Sequence, residues 1–271
     1  MKTLTGQSSD GTYLAIKEWG NPAGPELLFI HGFAQSGDSW QRQVTSSLAE
    51  DFRIITFDLR GHGESDKPAR SEAYRDPRRW ADDLAAVMSR AELRRPVLIG
   101  WSYGGRVICD YLAHYGEGGI AGINFVAATS TGKPGVFGPV AQHIAQMLAE
   151  DLSTRTAGTT LFLQACSARP LSAEGLAAAL AYNLAVPPQV LRFLLDRPAV
   201  YDEVLRRITV PVLVTQGCED LVVLPTMSEH TLSLIKHAQR SFYAGIGHTP
   251  FYEAADRFNL ELAEFGRATV R

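Results

Sequence analysis

Short apolar runs with the composition of β-strands alternate with helical patterns along most of this chain. The strand-like runs are RIITFDL, PVLIGWS, IAGINFVAAT, VPVLVTQG and RSFYAGIG. Segments with helical spacing of apolar residues lie between them, for example RDPRRWADDLAAVMSRAEL. Two earlier runs, YLAIKEWG and ELLFIHG, are predicted to form the first two strands. Parallel strands need long crossover connections, which are usually helices. The alternation therefore predicts an α/β fold with a mostly parallel central sheet flanked by helices.

Residues 131–207 interrupt this alternation. They are rich in alanine and leucine, have helix-like spacing punctuated by Gly and Pro, and contain no clear strand pattern. A chain of 271 residues suits one α/β domain with one insertion. We therefore expect a core made of residues 1–130 and 208–271, and a helical cap made of residues 131–207.

The charge balance excludes some classes of partner. The formal net charge is -3, so no basic excess points to nucleic acid or to an anionic membrane. No apolar stretch approaches the roughly 20 residues that span a bilayer. The stretch MKTLTGQSSDGTY lacks the apolar core of a signal peptide. We expect a cytoplasmic protein that acts on a small molecule, and the sequence does not indicate its oligomeric state.

The cysteine and histidine spacings favour neither a disulfide framework nor a metal site. Cys109, Cys166 and Cys218 are odd in number and lack the CxxC spacing, which indicates reduced thiols. The chain has no HExxH motif and no paired Cys/His spacing. It also lacks a Walker A motif, and GWSYGGR does not match GxGxxG. The sequence therefore predicts no metal and no cofactor.

The stretch GWSYGG has the pattern of a nucleophile elbow. Gly100, Ser102 and Gly104 match G-x-S-x-G between a predicted strand and a predicted helix, the context that the motif requires. A serine on such a tight turn takes strained backbone angles, and side chains two positions away would collide with neighbouring elements. Its hydroxyl would lie near a helix N-terminus, which favours negative charge. We interpret Ser102 as a nucleophile; the alternative is a structural serine in a turn.

A serine nucleophile needs a base, and the base needs an acid that orients it. In hydrolases with this elbow the chain order is serine, acid, histidine. His248 in GIGHTPF follows a predicted strand and is the expected base. Asp220 in TQGCED follows the preceding strand and is the expected acid. Glu219 stays an alternative, because a longer carboxylate one residue earlier could also reach the imidazole.

Two further motifs, HGF at residues 31–33 and DLRGHGES at residues 58–65, complete a resemblance. The sequence resembles the α/β-hydrolase fold family, particularly its small esterases and lactonases and its cofactor-free haloperoxidase (perhydrolase)-like members. The resemblance covers nearly the whole chain, although the cap is similar only in character. It implies an oxyanion hole made by the backbone N–H groups of Phe33 and Tyr103. It also implies a structural role for residues 58–65.

A serine at the elbow favours acyl transfer, because family members that dehalogenate alkanes or open epoxides use aspartate there. The expected substrate is a small to medium, largely apolar carboxylic ester or lactone, cleaved through an acyl-serine intermediate. A cofactor-free haloperoxidase or perhydrolase is the main alternative; a C–C bond hydrolase and a non-catalytic ligand receptor also stay open. The predicted substrate-binding residues are Trp101, Phe137, Leu161, Phe162, Val222 and Val223.

Overall fold

An eight-stranded sheet runs through the centre of the computed structural model, which describes residues 1–269 without the side chains of residues 141 and 142. The strands lie in the order β1-β2-β4-β3-β5-β6-β7-β8. Strand β2 runs antiparallel to both of its neighbours, and every other neighbouring pair is parallel. The strands are β1 (Lys2–Gln7), β2 (Tyr13–Gly20), β3 (Glu26–Ile30), β4 (Arg53–Phe57), β5 (Val97–Trp101), β6 (Gly122–Val126), β7 (Val212–Gly217) and β8 (Gln239–Tyr243).

Helices connect most of the parallel strands, and a short 3-10 helix lies at Gly37–Trp40. The α-helices of the described residues are α1 (Gln41–Val44), α2 (Leu48–Asp51), α3 (Glu72–Arg75), α4 (Pro77–Arg90), α5 (Tyr103–Tyr115), α6 (Ala141–Met147), α7 (Leu152–Ala165), α8 (Ala173–Leu184), α9 (Pro188–Leu195), α10 (Asp202–Arg206), α11 (Pro225–Leu234), α12 (Pro250–Glu253) and α13 (Ala255–Thr269). None of the helices in this part of the chain is long and apolar enough to cross a membrane.

The two faces of the sheet bury separate apolar clusters. On β3, Leu28 and Ile30 join one cluster with residues of α4 and α5, whereas Leu27 and Phe29 join another with residues of α1, α2 and α13. Successive side chains of a strand point to opposite faces, so one strand supplies both clusters. Strands β5 and β6 are buried at every position, as their apolar sequences predict for the centre of a parallel sheet.

The predicted α/β architecture is confirmed, but the first strand is not the predicted one. Strand β1 (Lys2–Gln7) precedes YLAIKEWG, which forms β2. As an edge strand, β1 buries only Leu4 and Gly6, so its sequence KTLTGQ contains no apolar run that would signal a strand. The one signal of this strand is the alternation of buried and exposed positions over Leu4, Thr5 and Gly6.

The chain between β6 and β7 forms helices α6–α10, as the sequence pattern of this region predicts. Two isolated β-bridges occur beside them, Thr131 with Val200 and Phe137 with Val223. Each bridge is a single residue pair, which leaves no strand pattern in the sequence. The boundaries of the cap at residues 131 and 207 stay a prediction.

Buried His31 connects the loop after β3 to the loop after β4. Buried His62 packs against it, with the two ring centroids 5.0 Å apart. The Leu59 N–H donates to Nε2 of His31 at 2.9 Å, and Nδ1 of His31 donates to the Gly32 carbonyl, also at 2.9 Å. Nδ1 of His62 donates to the Arg60 carbonyl at 3.0 Å. Burial lowers the pKa of His31 to about 4 and that of His62 to about 3. Both rings are therefore neutral in the folded protein near pH 7.

Because these pKa values lie below the ordinary value of about 6.5, the unfolded chain takes up protons that the folded protein refuses. The free energy of unfolding should fall as the pH decreases from 6.5 towards 4. We expect His62→Asn, whose amide nitrogen can still donate to Arg60, to flatten this dependence by up to about 1.4 kcal/mol per pH unit. Urea titrations between pH 6 and pH 4 measure it.

His237→Asn is the matched control, because His237 is exposed on the surface. The free energy of unfolding of this variant should change with pH as steeply as that of the parent protein. An equal slope in His62→Asn and the parent would show that His62 does not resist protonation in the folded state.

Candidate active site

Ser102 occupies a strained turn between β5 and α5. Its backbone angles are φ 52° and ψ −114°, in a region that residues other than glycine rarely adopt. Three backbone hydrogen bonds hold the turn: Ser102 N–H donates to Val126, and the Ser102 carbonyl accepts from the N–H groups of Gly105 and Thr129. The strand, turn and helix that G-x-S-x-G requires are all present.

Close approach of neighbouring backbone explains the glycines around Ser102. A Cβ atom on Gly104 would lie 2.5 Å from the carbonyl oxygen of Ile30 in β3. On Gly100 it would lie 2.6 Å from Cδ1 of Ile108 in α5. Both distances are well below van der Waals contact, so a side chain at either position would force the strand and helix apart.

Asp220, in the loop after β7, is a fully hydrogen-bonded buried carboxylate. Its Oδ2 accepts from Nδ1 of His248 at 2.7 Å and from Nε2 of Gln216 at 3.0 Å. Its Oδ1 accepts from the backbone N–H groups of Val222 and Val223 at 2.8 and 2.9 Å. Bonds to both oxygens fix the plane of the carboxylate towards the imidazole.

Glu219, the alternative acid, faces solvent. Its backbone N–H donates to Ile246, which orients the turn so that residue 219 lies outside and residue 220 inside. The structure therefore brings Asp220, and not Glu219, to His248.

Two residues besides Asp220, namely Cys166 and Trp101, hold His248 in place. Its N–H donates to the carbonyl of Cys166, at the end of α7, at 2.7 Å. Its carbonyl accepts from Nε1 of Trp101 at 2.9 Å, and the two rings pack with centroids 5.5 Å apart. Since Nδ1 bonds to Asp220, Nε2 is the ring nitrogen that remains for the cavity, which Ser102 also lines.

The loop after β3 passes directly beside Ser102. A Cβ atom on Gly32 would lie 3.2 Å from Cβ of Ser102, and Ala34 takes a positive φ of 60° as the loop turns away. Phe33 lies between these two residues and lines the same cavity. Tyr103 is the first residue of α5, so its N–H has no acceptor within the helix. Both predicted oxyanion donors therefore belong to backbone beside Ser102.

A cavity of about 350 Å³ opens over Ser102 and His248. Five of the predicted substrate-binding residues line it: Trp101, Phe137, Phe162, Val222 and Val223. Leu161 does not line it and is 42% exposed, because neighbouring residues of α7 point in different directions and Phe162 faces inwards. The sequence pattern does not predict the lining residues Gln35, Arg106, Thr129, Gly138, Val140, Ile144 and Leu195.

A short pairing of two loops brings Phe137 to the cavity. The Gly138 N–H donates to the Val222 carbonyl, and the Leu224 N–H donates to the Val136 carbonyl, both at 3.0 Å. These bonds flank the bridge between Phe137 and Val223. The segment before α6 is thus attached to the loop that carries Asp220.

Of the missed lining residues, Arg106 had a readable signal. It follows Ser102 by four positions, the spacing at which side chains of a helix share one face. Val140, Ile144 and Leu195 come from the region of α6–α9, whose packing over the sheet has no local signature. Among residues 1–269, no group of three or more His, Cys, Asp or Glu side chains is arranged to hold a metal ion.

Comparison with known proteins gives full-length matches. The family model of the alpha/beta hydrolase fold matches residues 25–255. A Burkholderia cenocepacia protein assigned as an aryl esterase is similar with a TM-score of 0.96 and 37% identity, over 99% of both chains. Esterase RhEst1 from Rhodococcus sp. ECU1013 is similar with a TM-score of 0.94 and 36% identity, over 99% of this chain and 100% of the other. The non-heme haloperoxidase of Rhodococcus erythropolis is 26% identical over 277 residues, 95% of this chain and 97% of that protein.

The close contact of Gly104 with Ile30 predicts the effect of a single added methyl group. We expect Gly104→Ala to lower the free energy of unfolding by about 2–3 kcal/mol, because the overlap displaces either β3 or α5. Gly118→Ala is the control, since its Cβ would meet no atom within 4 Å. Urea unfolding of both variants measures the difference. Equal stability of the two variants would contradict the proposed contact.

Proposed function

The chain belongs to the α/β-hydrolase fold family, and on that premise we propose that it is a serine hydrolase cleaving small to medium, largely apolar carboxylic esters or lactones. One observation carries the proposal. Ser102, on its strained turn, lines the same cavity as His248, whose other ring nitrogen is bonded to buried Asp220. This is the set of groups that acyl transfer requires.

Acylation begins with Nε2 of His248 removing the hydroxyl proton of Ser102 as Oγ attacks the ester carbonyl carbon. The carbonyl oxygen becomes an oxyanion, and the N–H groups of Phe33 and Tyr103 donate to it. Two such donors, fixed by backbone, stabilise the tetrahedral intermediate by several kcal/mol. The position of Tyr103 at the N-terminus of α5 adds the favourable end of the helix dipole.

The intermediate then collapses. The imidazolium of His248 protonates the leaving alcohol, and the acyl group stays on Oγ of Ser102. A water molecule gives a proton to His248 and attacks the acyl carbon. The bond from that carbon to Oγ then breaks, the carboxylic acid leaves, and the imidazolium of His248 returns the proton to Oγ of Ser102. Asp220 stabilises the imidazolium in both steps and keeps Nδ1 protonated, without itself taking the proton.

The cavity supports the size and polarity of the substrate. Its lining is mainly aliphatic and aromatic, and a volume of about 350 Å³ suits a small to medium ester. The Burkholderia and Rhodococcus sp. proteins described above, one assigned as an aryl esterase and one named an esterase, match the whole chain at more than a third identity. Their names support ester hydrolysis.

A perhydrolase or cofactor-free haloperoxidase activity is a second candidate at the same site. The full-length Rhodococcus erythropolis relative, named a haloperoxidase, favours it. Hydrogen peroxide would replace water in the second half-reaction, attack the acyl-serine and leave as a peroxyacid. That peroxyacid would oxidise halide in solution. The acylation half-reaction is identical in both candidates.

We also propose that residues 131–207 act as a cap on the core of residues 1–130 and 208–271. Four apolar residues of this segment line the cavity beside Phe137, namely Val140, Ile144, Phe162 and Leu195. The bond from the backbone N–H of His248 to the Cys166 carbonyl attaches the same segment to the backbone of His248. A cap held in this way would exclude water from the acyl-enzyme except at the cavity mouth.

Turnover of p-nitrophenyl esters with and without hydrogen peroxide tests the proposed function. We expect Ser102→Ala to lower kcat at least about 1000-fold, because the nucleophile is lost. A fluorophosphonate should add to the parent protein on the peptide that contains Ser102, as peptide mass spectrometry would show. Unchanged turnover by the alanine variant would refute the proposal. Halide oxidation by the parent that outpaces hydrolysis would favour the perhydrolase.

Asp220→Asn and Glu219→Gln form a matched pair that tests the acid. Asparagine at position 220 cannot stabilise the imidazolium and favours the wrong imidazole tautomer, so we expect kcat to fall about 1000- to 10,000-fold. Glu219→Gln removes an exposed charge one residue away and should leave kcat within about twofold. Steady-state kinetics on one ester measures both. A larger loss of kcat in Glu219→Gln than in Asp220→Asn would assign the role of the acid to residue 219.

A further inference from the structure

Arg106 places a positive charge in the wall of the cavity over Ser102. The other lining residues are mainly aliphatic, aromatic or glycine. None of the lining residues that the structure describes is an aspartate or a glutamate. The described lining residues therefore offer Arg106 no carboxylate partner.

The guanidinium of Arg106 is also short of hydrogen-bond partners. Nη1 donates to the backbone carbonyl of Arg197 at 3.2 Å. Nε is buried without a partner in the described part of the chain. No described carboxylate forms an ion pair with Arg106, although most buried polar atoms in proteins are paired. The guanidinium carbon lies 5.3 Å from the centroid of the Tyr103 ring, and Nη2, which donates to no described group, is the donor left for a ligand.

The one acidic side chain a helical turn away is already occupied. Asp110 pairs with Nη2 of Arg197 through Oδ2, and its Oδ1 accepts from the hydroxyl of Tyr201. Both side chains are fully buried, and their opposite charges compensate each other in this ion pair. With Arg106 counted, this cluster carries one uncompensated positive charge beside the cavity.

Helix stability does not explain the position of Arg106. It lies in the first turn of α5, where the helix dipole disfavours a cation. Ser102 is the N-cap of the same helix, four residues earlier, and both residues line the cavity. Long side chains on a helix lean towards its N-terminus, which is the direction of Ser102.

We propose that Arg106 binds an anionic group of the substrate, a carboxylate separate from the ester that is cleaved. The inference rests on the proposed function and names its substrate class: esters that also carry a carboxylate. Arginine binds a carboxylate through two charge-assisted hydrogen bonds, and such bonds are strong in a cavity with few waters. The remaining wall would hold the apolar part of the same molecule.

Two matched substrate pairs test the inference and separate the two sides of the ester bond. Monomethyl adipate and methyl adipamate differ only in a carboxylate or carboxamide on the acyl side. The compounds 4-acetoxybenzoate and 4-acetoxybenzamide differ in the same way on the leaving-group side. We expect kcat/KM of the parent protein to favour the carboxylate about tenfold or more in at least one pair.

Arg106→Gln should reduce that preference to about one, because kcat/KM for the carboxylate ester falls by more than kcat/KM for the carboxamide ester. Arg106→Lys keeps the charge without the bidentate geometry and should retain part of the preference. Arg75→Gln is the control for charge alone, because Arg75 forms an exposed ion pair with Asp196 outside the cavity. The preference of Arg75→Gln for the carboxylate ester should equal that of the parent protein.

Calorimetry on Ser102→Ala gives a readout that does not depend on turnover. The dissociation constant of the preferred carboxylate ester should be about tenfold lower than that of its carboxamide, and Arg106→Gln in the same background should abolish the difference. Equal binding and equal kcat/KM within both pairs would overturn the inference while leaving ester hydrolysis intact. Absence of turnover with selective carboxylate binding would refute the hydrolase and keep the anion site.

Discussion

The backbone strain at Ser102 is the constraint on which the rest of the site depends. A non-glycine residue at φ 52° is unfavourable by about 1–3 kcal/mol, and it persists only where its surroundings fix it. Here β3 and α5 approach so closely that a Cβ atom on Gly104 would lie 2.5 Å from the Ile30 carbonyl oxygen. The turn thereby places Ser102 beyond the end of β5, at the point where α5 begins.

Parallel strands bring the other groups to the same edge. Phe33 follows β3, Asp220 follows β7 and His248 follows β8, each beyond the carboxyl end of its strand. In an open parallel sheet these ends lie side by side, and ligands bind in the crevice outside them. Residues more than a hundred positions apart thus become neighbours through strand order alone, and loop hydrogen bonds such as those to Asp220 set the remaining ångströms.

Local patterns carried most of what the sequence could predict. The elbow around Ser102 is readable because strain and close packing demand particular residue types at fixed spacing. Choosing Asp220 over Glu219 required the turn after β7, which a bond from the Glu219 N–H to Ile246 defines in space. Leu161 and Phe162 are chemically similar, and only the rotation of α7 over the sheet decides which of them faces the cavity. Tertiary packing, absent from any local pattern, settles both.

Helix α5 couples the proposed reacting groups to the proposed cap. Its first turn supplies the N–H of Tyr103, and the hydroxyl of that residue accepts from Nη1 of Arg197 at 2.9 Å. Arg197 follows α9 and is bound to Asp110, one turn further along α5. Removing one member of a buried ion pair is far more disruptive than removing an exposed one, because the other charge is left unpaired. A shift of the chain near Arg197 would therefore move α5, and with it both the proposed oxyanion donor and the guanidinium of Arg106, which bonds to the Arg197 carbonyl. The proposed chemistry and the proposed substrate recognition therefore depend on the same buried ion pair.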